Sequence, residues 1–377
     1  MPRRVEGGVR ALGELVPISG CAVKICYLAN AGSIHTQRWA KYFASRGCEI
    51  TVVSFQPGEI GGVEVFQIGS LSSRHRLNIL LNLGRVRRLV RQINPDILHA
   101  HYVTSYGLAA ALTGRHPLVI TAWGTDVLVM PEQSRLYRQI VRFALNRADL
   151  ITSMADHMTH LLVEKGYAQA QKIMTLPFGV DTEIFNPNRR IPMTSQKTPL
   201  VVSTRRLHHG LDVHIFLQAI PYVLEDVADA RFVVAGDGPL RVRLAEMARD
   251  LGIAKRVTFR GEVTQHQMAE LLGKADVFIS TSPTDGNNIS LNEAMACGAF
   301  PVATDIAANR TWIRNEKNGL LFTSKNIQEL AEKIIKALRN RTWREAIAAE
   351  NWSIVKNRGN WTREMARMEE MYEALLR

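Results

Sequence analysis

Two carboxylates stand eight positions apart in residues 284–298, TDGNNISLNEAMACG. Asp285 precedes a glycine turn, and Glu293 lies in the helix that is predicted to follow. Such a turn presents backbone N–H groups and the positive end of a helix dipole, which suit the oxygens of a diphosphate or a sugar. Asp285 would then bond sugar hydroxyls, and Glu293 would reach a ribose. The alternative is a helix cap at Asp285 and a solvent-exposed Glu293.

Other polar segments also follow predicted strands. Residues 203–210, STRRLHHG, contain Arg205 and Arg206, whose planar guanidinium groups suit phosphate. The turns AGDGP (235–239) and FRGEV (259–263) come after the next two strands. Near the start of the chain, Gly32 in the turn NAGS would let the backbone come close to a ligand, although a plain strand–turn–helix is the alternative.

Strands alternate with helices along the chain, which favours parallel sheets with right-handed crossovers. The predicted strands are residues 22–28, 49–55, 63–68, 96–99, 118–122, 150–153, 173–176, 200–203, 231–235, 257–259, 277–280 and 300–303. A polar stretch with two prolines, residues 186–199, is the predicted linker. We therefore predict an extension (1–20), two doubly wound α/β domains (21–190 and 191–355) and a C-terminal helix (356–377) that packs back towards the first domain. Ligands would bind in an interdomain cleft at the carboxyl ends of the strands.

Composition limits the class of protein and its partners. A chain of 377 residues with 46% hydrophobic and 22% charged residues is typical of a globular protein of two domains. The N-terminus lacks the apolar region of a signal peptide, and no apolar run reaches the roughly 20 residues that span a bilayer. The four cysteines, Cys21, Cys26, Cys48 and Cys297, form no CxxC pair and are expected to be reduced thiols of a cytoplasmic protein.

Positive charge is concentrated in the first half of the sequence. The net charge is +12, and residues 1–190 hold 22 Lys and Arg against 13 Asp and Glu, a surplus of nine. Such a surplus favours an anionic partner: a membrane surface, a lipid phosphate or a nucleic acid. No helix-turn-helix or glycine–aromatic signature supports the nucleic acid, so we expect none.

The carboxylate motif extends into a longer segment, residues 285–305, DGNNISLNEAMACGAFPVATD. This segment resembles the acidic-x7-Glu signature of glycosyltransferase family 4, whose members are retaining enzymes of the GT-B fold. The family usually has Glu at the first position, and Asp285 keeps that carboxylate on a shorter arm. The resemblance covers roughly residues 22–340. It implies two Rossmann-like domains, of which residues 21–190 are the acceptor side and residues 191–355 bind a nucleotide sugar.

The resemblance also implies roles for the motif residues. Arg205 and Arg206 would stabilise the leaving diphosphate, and Glu293 would hold the ribose. Asp285, with the backbone of 286–288, would hold the sugar; these four side chains are the predicted catalytic set. The predicted donor-binding residues are Gly32, Arg205, Arg206, Gly236, Asp237, Gly261, Glu262, Asp285, Gly286, Asn287, Asn288, Ile289 and Glu293. Relatives carry a further Lys in the 203–210 loop, which this chain lacks.

The acceptor side would involve His35, His101, Trp123 and Asp126. His101 ends the segment DILHAH, which resembles a strand of the family, although a histidine there is often only structural. Trp123 stands where many relatives have a functional histidine, so that contact cannot be carried over.

The reaction that the resemblance implies is transfer of a sugar, with retained configuration, from a UDP- or GDP-linked donor to a hydroxyl acceptor. UDP is favoured, and the acceptor would be lipid-linked, a polysaccharide or a small-molecule glycoside. We expect no metal or other cofactor, because there is no Asp-x-Asp motif and no His/Cys ligand cluster. The alternatives are another GT-B-like nucleotide-sugar enzyme, an epimerase or phosphorylase, and more remotely a basic nucleic-acid-binding protein.

Four arginines form a basic cluster in the helix predicted for residues 79–93, after Arg74 and Arg76. The cluster consists of Arg85, Arg87, Arg88 and Arg91, amid apolar neighbours. A cationic amphipathic helix suits an anionic membrane surface, and an ordinary solvated helix face is the alternative. We therefore expect a cytoplasmic protein, peripheral on the inner face of the membrane.

Overall fold

The computed structural model describes residues 23–69, 77–190 and 198–377. The predicted extension 1–20, Cys21, Arg74, Arg76 and residues 191–197 of the predicted linker lie outside this range. The chain divides into two compact units. The first holds the described residues up to Thr121, with Phe143–Leu150 and Glu369–Arg377, and the second holds the described residues of Ala122–Arg142 and Ile151–Met368. The predicted domain limits stay a prediction.

Thirteen strands form two sheets within the described residues. The strands are β1 (Lys24–Leu28), β2 (Glu49–Ser54), β3 (Glu64–Gln67), β4 (Ile97–His101), β5 (Leu118–Ala122), β6 (Leu150–Ser153), β7 (Ile173–Thr175), β8 (Leu200–Ser203), β9 (Arg231–Ala235), β10 (Val257–Gly261), β11 (Val277–Ser280), β12 (Phe300–Thr304) and β13 (Leu320–Phe322). The strand orders are β3-β2-β1-β4-β5-β6-β7 and β10-β9-β8-β11-β12-β13. This doubly wound pattern confirms the predicted α/β fold.

Helices connect the strands. They are α1 (Ile34–Ser45), α2 (Leu77–Ile93), α3 (Leu108–Thr113), α4 (Thr125–Leu128), α5 (Met130–Gln133), α6 (Arg135–Arg147), α7 (Asp156–Glu164), α8 (Val213–Asp226), α9 (Arg241–Asp250), α10 (Gln265–Lys274), α11 (Ile289–Ala296), α12 (Ala307–Arg310), α13 (Ile327–Arg339), α14 (Arg341–Arg358) and α15 (Trp361–Leu376). A π-helical turn (Val103–Gly107) and two 3-10 turns (Ala170–Lys172 and Pro187–Arg189) complete the set. No helix in the described part of the chain is both long and apolar enough to cross a membrane.

The strands at the centre of each sheet are buried on both faces. Every residue of β4 and β5 is buried, and β11 and β12 are also buried throughout. The pairs that these strands make, such as β4 with β5 and β11 with β12, are parallel. Helices must therefore cover both faces of each sheet, which leaves the loops at the strand ends as the places where polar side chains collect.

The prediction of one C-terminal helix over residues 356–377 is wrong at its start. Residues 356–358 belong to α14, and α15 begins at Trp361. The backbone of Val180 separates the two helices, because its N–H donates to the Gly359 carbonyl (2.7 Å) and its carbonyl accepts from the Trp361 N–H (2.9 Å). A side chain at Gly359 would meet the Trp312 ring at 2.8 Å, so glycine is required at this break.

A buried polar network holds the end of the chain in the first unit. The Tyr372 hydroxyl bonds Nδ1 of His99 and, at 3.2 Å, the hydroxyl of Tyr27, while Nε2 of His99 bonds Oγ1 of Thr121 at 2.6 Å. Burial, and next the neighbouring His101, lower the pKa of His99, so its ring is neutral. Nearby, Arg46 forms an ion pair with Glu369 at 2.6 Å.

Substitution Tyr372→Phe tests this anchor. Loss of the hydroxyl leaves buried polar atoms of His99 and Tyr27 without that partner, which costs about 1–3 kcal/mol. We expect urea unfolding to show this loss of stability. The matched control is Tyr222→Phe, since Tyr222 is 49% exposed. Equal stability of the two variants would contradict a role for the network.

Candidate active site

The loops after β8 and β9 interlock through glycines. A side chain at Gly236 would lie 2.4 Å from the Arg205 carbonyl oxygen, and one at Gly238 would lie 2.4 Å from that of Leu207. The Leu207 N–H donates to the Asp237 carbonyl at 2.9 Å. The two loops therefore run so close together that only glycine fits between them.

The turn at the end of β10 joins the same cluster. The Gly236 N–H donates to the Gly261 carbonyl at 2.8 Å, and Gly261 adopts a positive φ of 70°. Asp237 accepts from the Gly238 N–H (2.7 Å) and from Arg241 (2.6 Å), and these bonds, in that order, lower its pKa. The predicted donor residues Gly236, Asp237 and Gly261 thus lie together, and Glu262 next to them is exposed.

Arg205 is fixed by three side chains of the loop after β11. Its guanidinium contacts Asp285 at 2.7 Å, Ser282 Oγ at 2.9 Å and Asn288 Oδ1 at 3.2 Å. The Arg205 and Asp285 side chains are only 12% and 15% exposed, so this ion pair is screened little by solvent. Arg206 differs: it is exposed and forms no ion pair with any described residue.

Asn288 organises the start of α11. Its Oδ1 accepts from the Leu291 N–H at 3.2 Å, while its Nδ2 donates to Ser280 and Asn309, both at 2.9 Å. Asn288 is therefore the N-cap of α11, and the alternative interpretation of Asp285 as the cap is wrong. Capping by Asn288 leaves the Asp285 carboxylate to Arg205.

The rest of the 285–293 segment is held equally firmly. Asn287 accepts from Trp312 Nε1 at 3.1 Å and donates to the Phe178 carbonyl at 3.3 Å. Ile289 and Glu293 lie on α11 and are half-buried. The structure thus brings Asp285 and Asn288 into contact with Arg205; the donor-site role of these residues and of Asn287 stays a prediction.

The loop after β5 lies directly against Gly286. A side chain at Gly286 would be 2.5 Å from the Trp123 carbonyl oxygen, and Gly124 has a φ of 133°. Asp126 is fully buried and accepts from the Trp123 N–H (3.1 Å) and the Gly124 N–H (2.8 Å). The structure therefore shows Asp126 holding the loop that carries Trp123, and an acceptor contact stays a prediction for both residues.

The remaining predicted residues lie in the first unit. Gly32 is exposed, and a side chain there would be 2.9 Å from the Pro57 carbonyl oxygen. His101 is 4% exposed, packs on Trp39 with ring centroids 5.0 Å apart, and has its pKa lowered to about 3 by burial and then by His35. His35 is half-buried. Burial of His101 favours the structural interpretation, and its acceptor contact stays a prediction.

Sequence reasoning missed three neighbours of the motif. Ser282 and Asn309 bond Arg205 and Asn288, and His157 in α7 lies beside Asp285. Burial lowers the pKa of His157, and the Asp285 backbone and carboxylate oppose that shift. Ser282 comes two residues after the end of β11. Because ligands bind at the carboxyl ends of parallel strands, its position could have identified it as a site residue. The sequence holds no local signal for His157 or Asn309.

Two doubly wound parallel α/β sheets are the architecture of the GT-B class, and the Asp-x7-Glu segment of this chain lies in a loop packed on neighbouring turns. No group of three His, Cys, Asp or Glu residues that could hold a metal occurs among the residues described.

Two family models match the chain. One, described as "Glycosyl transferase 4-like", matches residues 24–155, and the other, "Glycosyl transferases group 1", matches residues 185–353. The chain belongs to this family of glycosyltransferases, and it is therefore an enzyme of that class.

Relatives and solved structures agree with this assignment. The chain is 24% identical over 270 residues to N-acetyl-α-D-glucosaminyl L-malate synthase of Bacillus anthracis, covering 68% of this chain and 69% of the relative. It is 24% identical over 297 residues to a GDP-mannose-dependent α-(1-6)-phosphatidylinositol monomannoside mannosyltransferase of Mycobacterium tuberculosis, covering 74% and 75%. A structure of Anabaena HepE with UDP and glucose matches with a TM-score of 0.75 and 20% identity, over 94% of this chain and all of the other, which shows the same fold.

Substitution Gly286→Ala tests the close packing of the Asp285 loop. The new methyl group would overlap the Trp123 carbonyl and push the loop away, at a cost of about 1–3 kcal/mol. We expect a lower melting temperature and a fall in transfer rate of about 100-fold, as for a misplaced site residue. Gly84→Ala is the control, because a methyl group there has no atom within 4 Å. Full activity of Gly286→Ala would show that this packing is dispensable.

Proposed function

We propose that this protein transfers a sugar, with retained configuration, from a nucleotide diphosphate sugar to a hydroxyl acceptor. The observation that supports this most is the contact of Arg205 with Asp285, Ser282 and Asn288 beside the interlocked glycine turns. In such a pair, the guanidinium group can stabilise the negative charge of a phosphate, and the carboxylate can accept hydrogen bonds from sugar hydroxyl groups.

Each part of the donor would meet a different element. Asp285 and the backbone of 286–288 would hold the sugar, and Glu293 on α11 would bond the ribose hydroxyls. Arg206, whose exposed guanidinium has no ion pair among the described residues, would take the diphosphate, with Arg205 behind it. The leaving diphosphate would accept the proton of the acceptor hydroxyl, so the reaction would need neither a protein base nor a metal ion.

The nucleobase of the donor can be identified with a panel of nucleotide sugars. HepE was solved with UDP and glucose, and the mycobacterial relative is named as GDP-mannose-dependent. We favour UDP. Donor hydrolysis and thermal shift should be measured with UDP-, GDP- and ADP-sugars in excess EDTA. We expect activity with a UDP-sugar in EDTA; activity abolished by EDTA and restored by Mn²⁺ or Mg²⁺ would contradict the mechanism, and no response to any donor would contradict the function.

Substitutions Arg206→Gln and Arg205→Gln separate the two cations. Loss of a charge-assisted bond from Arg206 to the diphosphate costs about 1.5–3 kcal/mol, or roughly 10- to 150-fold in donor affinity. We expect Arg206→Gln to weaken inhibition by the nucleoside diphosphate more than by the monophosphate, with unchanged melting temperature. Arg205→Gln should lower both activity and melting temperature, because Asp285 loses its partner.

Lys255→Gln is the control for those two variants, since it removes an exposed cation elsewhere in the same unit. Full activity of both arginine variants would show that the diphosphate is bound by other groups.

The acceptor, we further propose, is presented at an anionic membrane surface. Arg85, Arg87, Arg88 and Arg91 are all exposed on α2, whereas Val86 and Val90 on the same helix are buried. The helix therefore shows its cations to solvent, as docking on anionic lipid requires. A mycobacterial relative is named for a phosphatidylinositol monomannoside acceptor, which is a lipid.

Liposome co-sedimentation tests this surface. Each Arg near an anionic leaflet contributes about 1 kcal/mol, and the attraction falls off over a Debye length of about 8 Å at physiological salt. We expect binding that requires phosphatidylglycerol, falls as salt rises and drops sharply when the four arginines become Gln. The control removes four other exposed cations, Arg243, Arg249, Lys255 and Lys356. Absence of binding at low salt would favour a soluble acceptor.

A further inference from the structure

A second cationic site lies in the second unit, apart from the donor loops. A cavity of about 420 Å³ is lined by one face of α6, by Glu132 of α5 and by Lys165 and Tyr167 after α7. The α6 residues on it are Arg135, Arg138, Gln139 and Arg142. Their spacing of three and four residues places them on one side of the helix.

The opposite side of α6 explains why this face is fixed. Val141, Ala144 and Leu145 are fully buried, so the helix cannot rotate its arginines away from the cavity. Arg138 is further held by a bond from its Nε to the Pro131 carbonyl at 2.9 Å. The three arginines of α6 therefore stay on the cavity side of the helix, although they and Lys165 are exposed.

These four cations are not paired with carboxylates of the described residues. Arg135, Arg138, Arg142 and Lys165 form no ion pair with the described residues, and Glu132 is the one carboxylate on the cavity wall. Elsewhere in the same unit, Arg310 pairs with Asp305, and Arg339 with Asp226. Like charges three and four residues apart destabilise a helix, and a bound anion would relieve that repulsion.

We propose that this cavity binds the phosphate group of a phosphate ester. Guanidinium groups bind phosphate oxygens in a bidentate way. The three guanidinium groups and one ammonium group keep a positive surplus beside Glu132, enough to balance the charge of about −2 on a phosphate monoester. Tyr167 and Gln139 supply neutral polar groups for the alcohol part of the ester. A volume of about 420 Å³ suits a small polar headgroup. The site shares no residue with the proposed donor site, so it goes beyond the proposed transfer.

The test uses the full chain and glycerol 3-phosphate. The variant Arg135→Gln/Arg142→Gln/Lys165→Gln should bind it at least tenfold more weakly than the wild type by calorimetry. The matched control, Arg243→Gln/Arg249→Gln/Lys255→Gln, removes the same charge from exposed positions of the same unit. It should retain wild-type affinity. The charge-preserving variant Arg135→Lys/Arg142→Lys should lose less, because lysine keeps the attraction and loses the bidentate contact.

Thermal unfolding gives a second readout that a purely structural role would not show. Without ligand, the Gln variant should melt no lower than the wild type, since it loses repulsion. With glycerol 3-phosphate, only proteins that keep the four cations should be stabilised. Equal affinity of wild type and Gln variant, or an equal loss in the control, would overturn the proposal.

Vesicles identify the source of the phosphate. Binding of each protein to vesicles that contain phosphatidic acid is measured next. If the Gln variant binds these vesicles less than the wild type and the control does not, the ligand is a lipid headgroup. Unchanged vesicle binding together with weaker glycerol 3-phosphate binding assigns the site to a soluble phosphate ester. Both outcomes are independent of sugar transfer, so failure of the proposed function leaves this test intact.

Discussion

The ion pair of Arg205 and Asp285 is the interaction on which the candidate site depends. Two charges that are 12% and 15% exposed have lost much of their hydration, and each is tolerated because the other is 2.7 Å away. Ser282 and Asn288 satisfy further donors of the guanidinium. Removal of either charge would leave the other uncompensated in a dry environment. The pair thus couples the loop after β8 to the loop after β11.

Backbone contacts hold that pair in place. Gly236 and Gly238 let the turn after β9 touch the carbonyls of Arg205 and Leu207, and Gly286 does the same against Trp123. Asn288 and Asp126 then satisfy the backbone N–H groups at the start of α11 and in the loop that begins at Trp123. Because close glycine contacts and buried hydrogen bonds fix these loops, the carboxylate of Asp285 is held against Arg205, with His157 beside it. Such rigidity suits a site that must stabilise charge without reorganising.

Local patterns in the sequence were sufficient for the fold and for part of the site. The strands predicted at residues 118–122 and 277–280 are β5 and β11, because apolar spacing and turn residues are local signals. The pairing of Arg205 with Asp285 was not predicted, since eighty residues separate them and both were assigned to the ligand. The C-terminal helix was misplaced because its limit is set by Val180, a residue distant in sequence. Tertiary contacts of this kind produce no periodic pattern of residues in the sequence.

Positively charged residues in this chain have two physical roles, which differ in exposure and in ion pairing. Arg205 and Arg46 are partly buried and paired with carboxylates, so they stabilise the folded state. Arg206, the α2 arginines and the cations around α6 are exposed and form no ion pair with described residues, so their fields extend into solvent. The two groups answer differently to salt, because screening weakens exposed charges far more than buried pairs. Ionic strength should therefore weaken the binding of anions well before it affects the stability of the site, which separates the anion-binding cations from the structural ones.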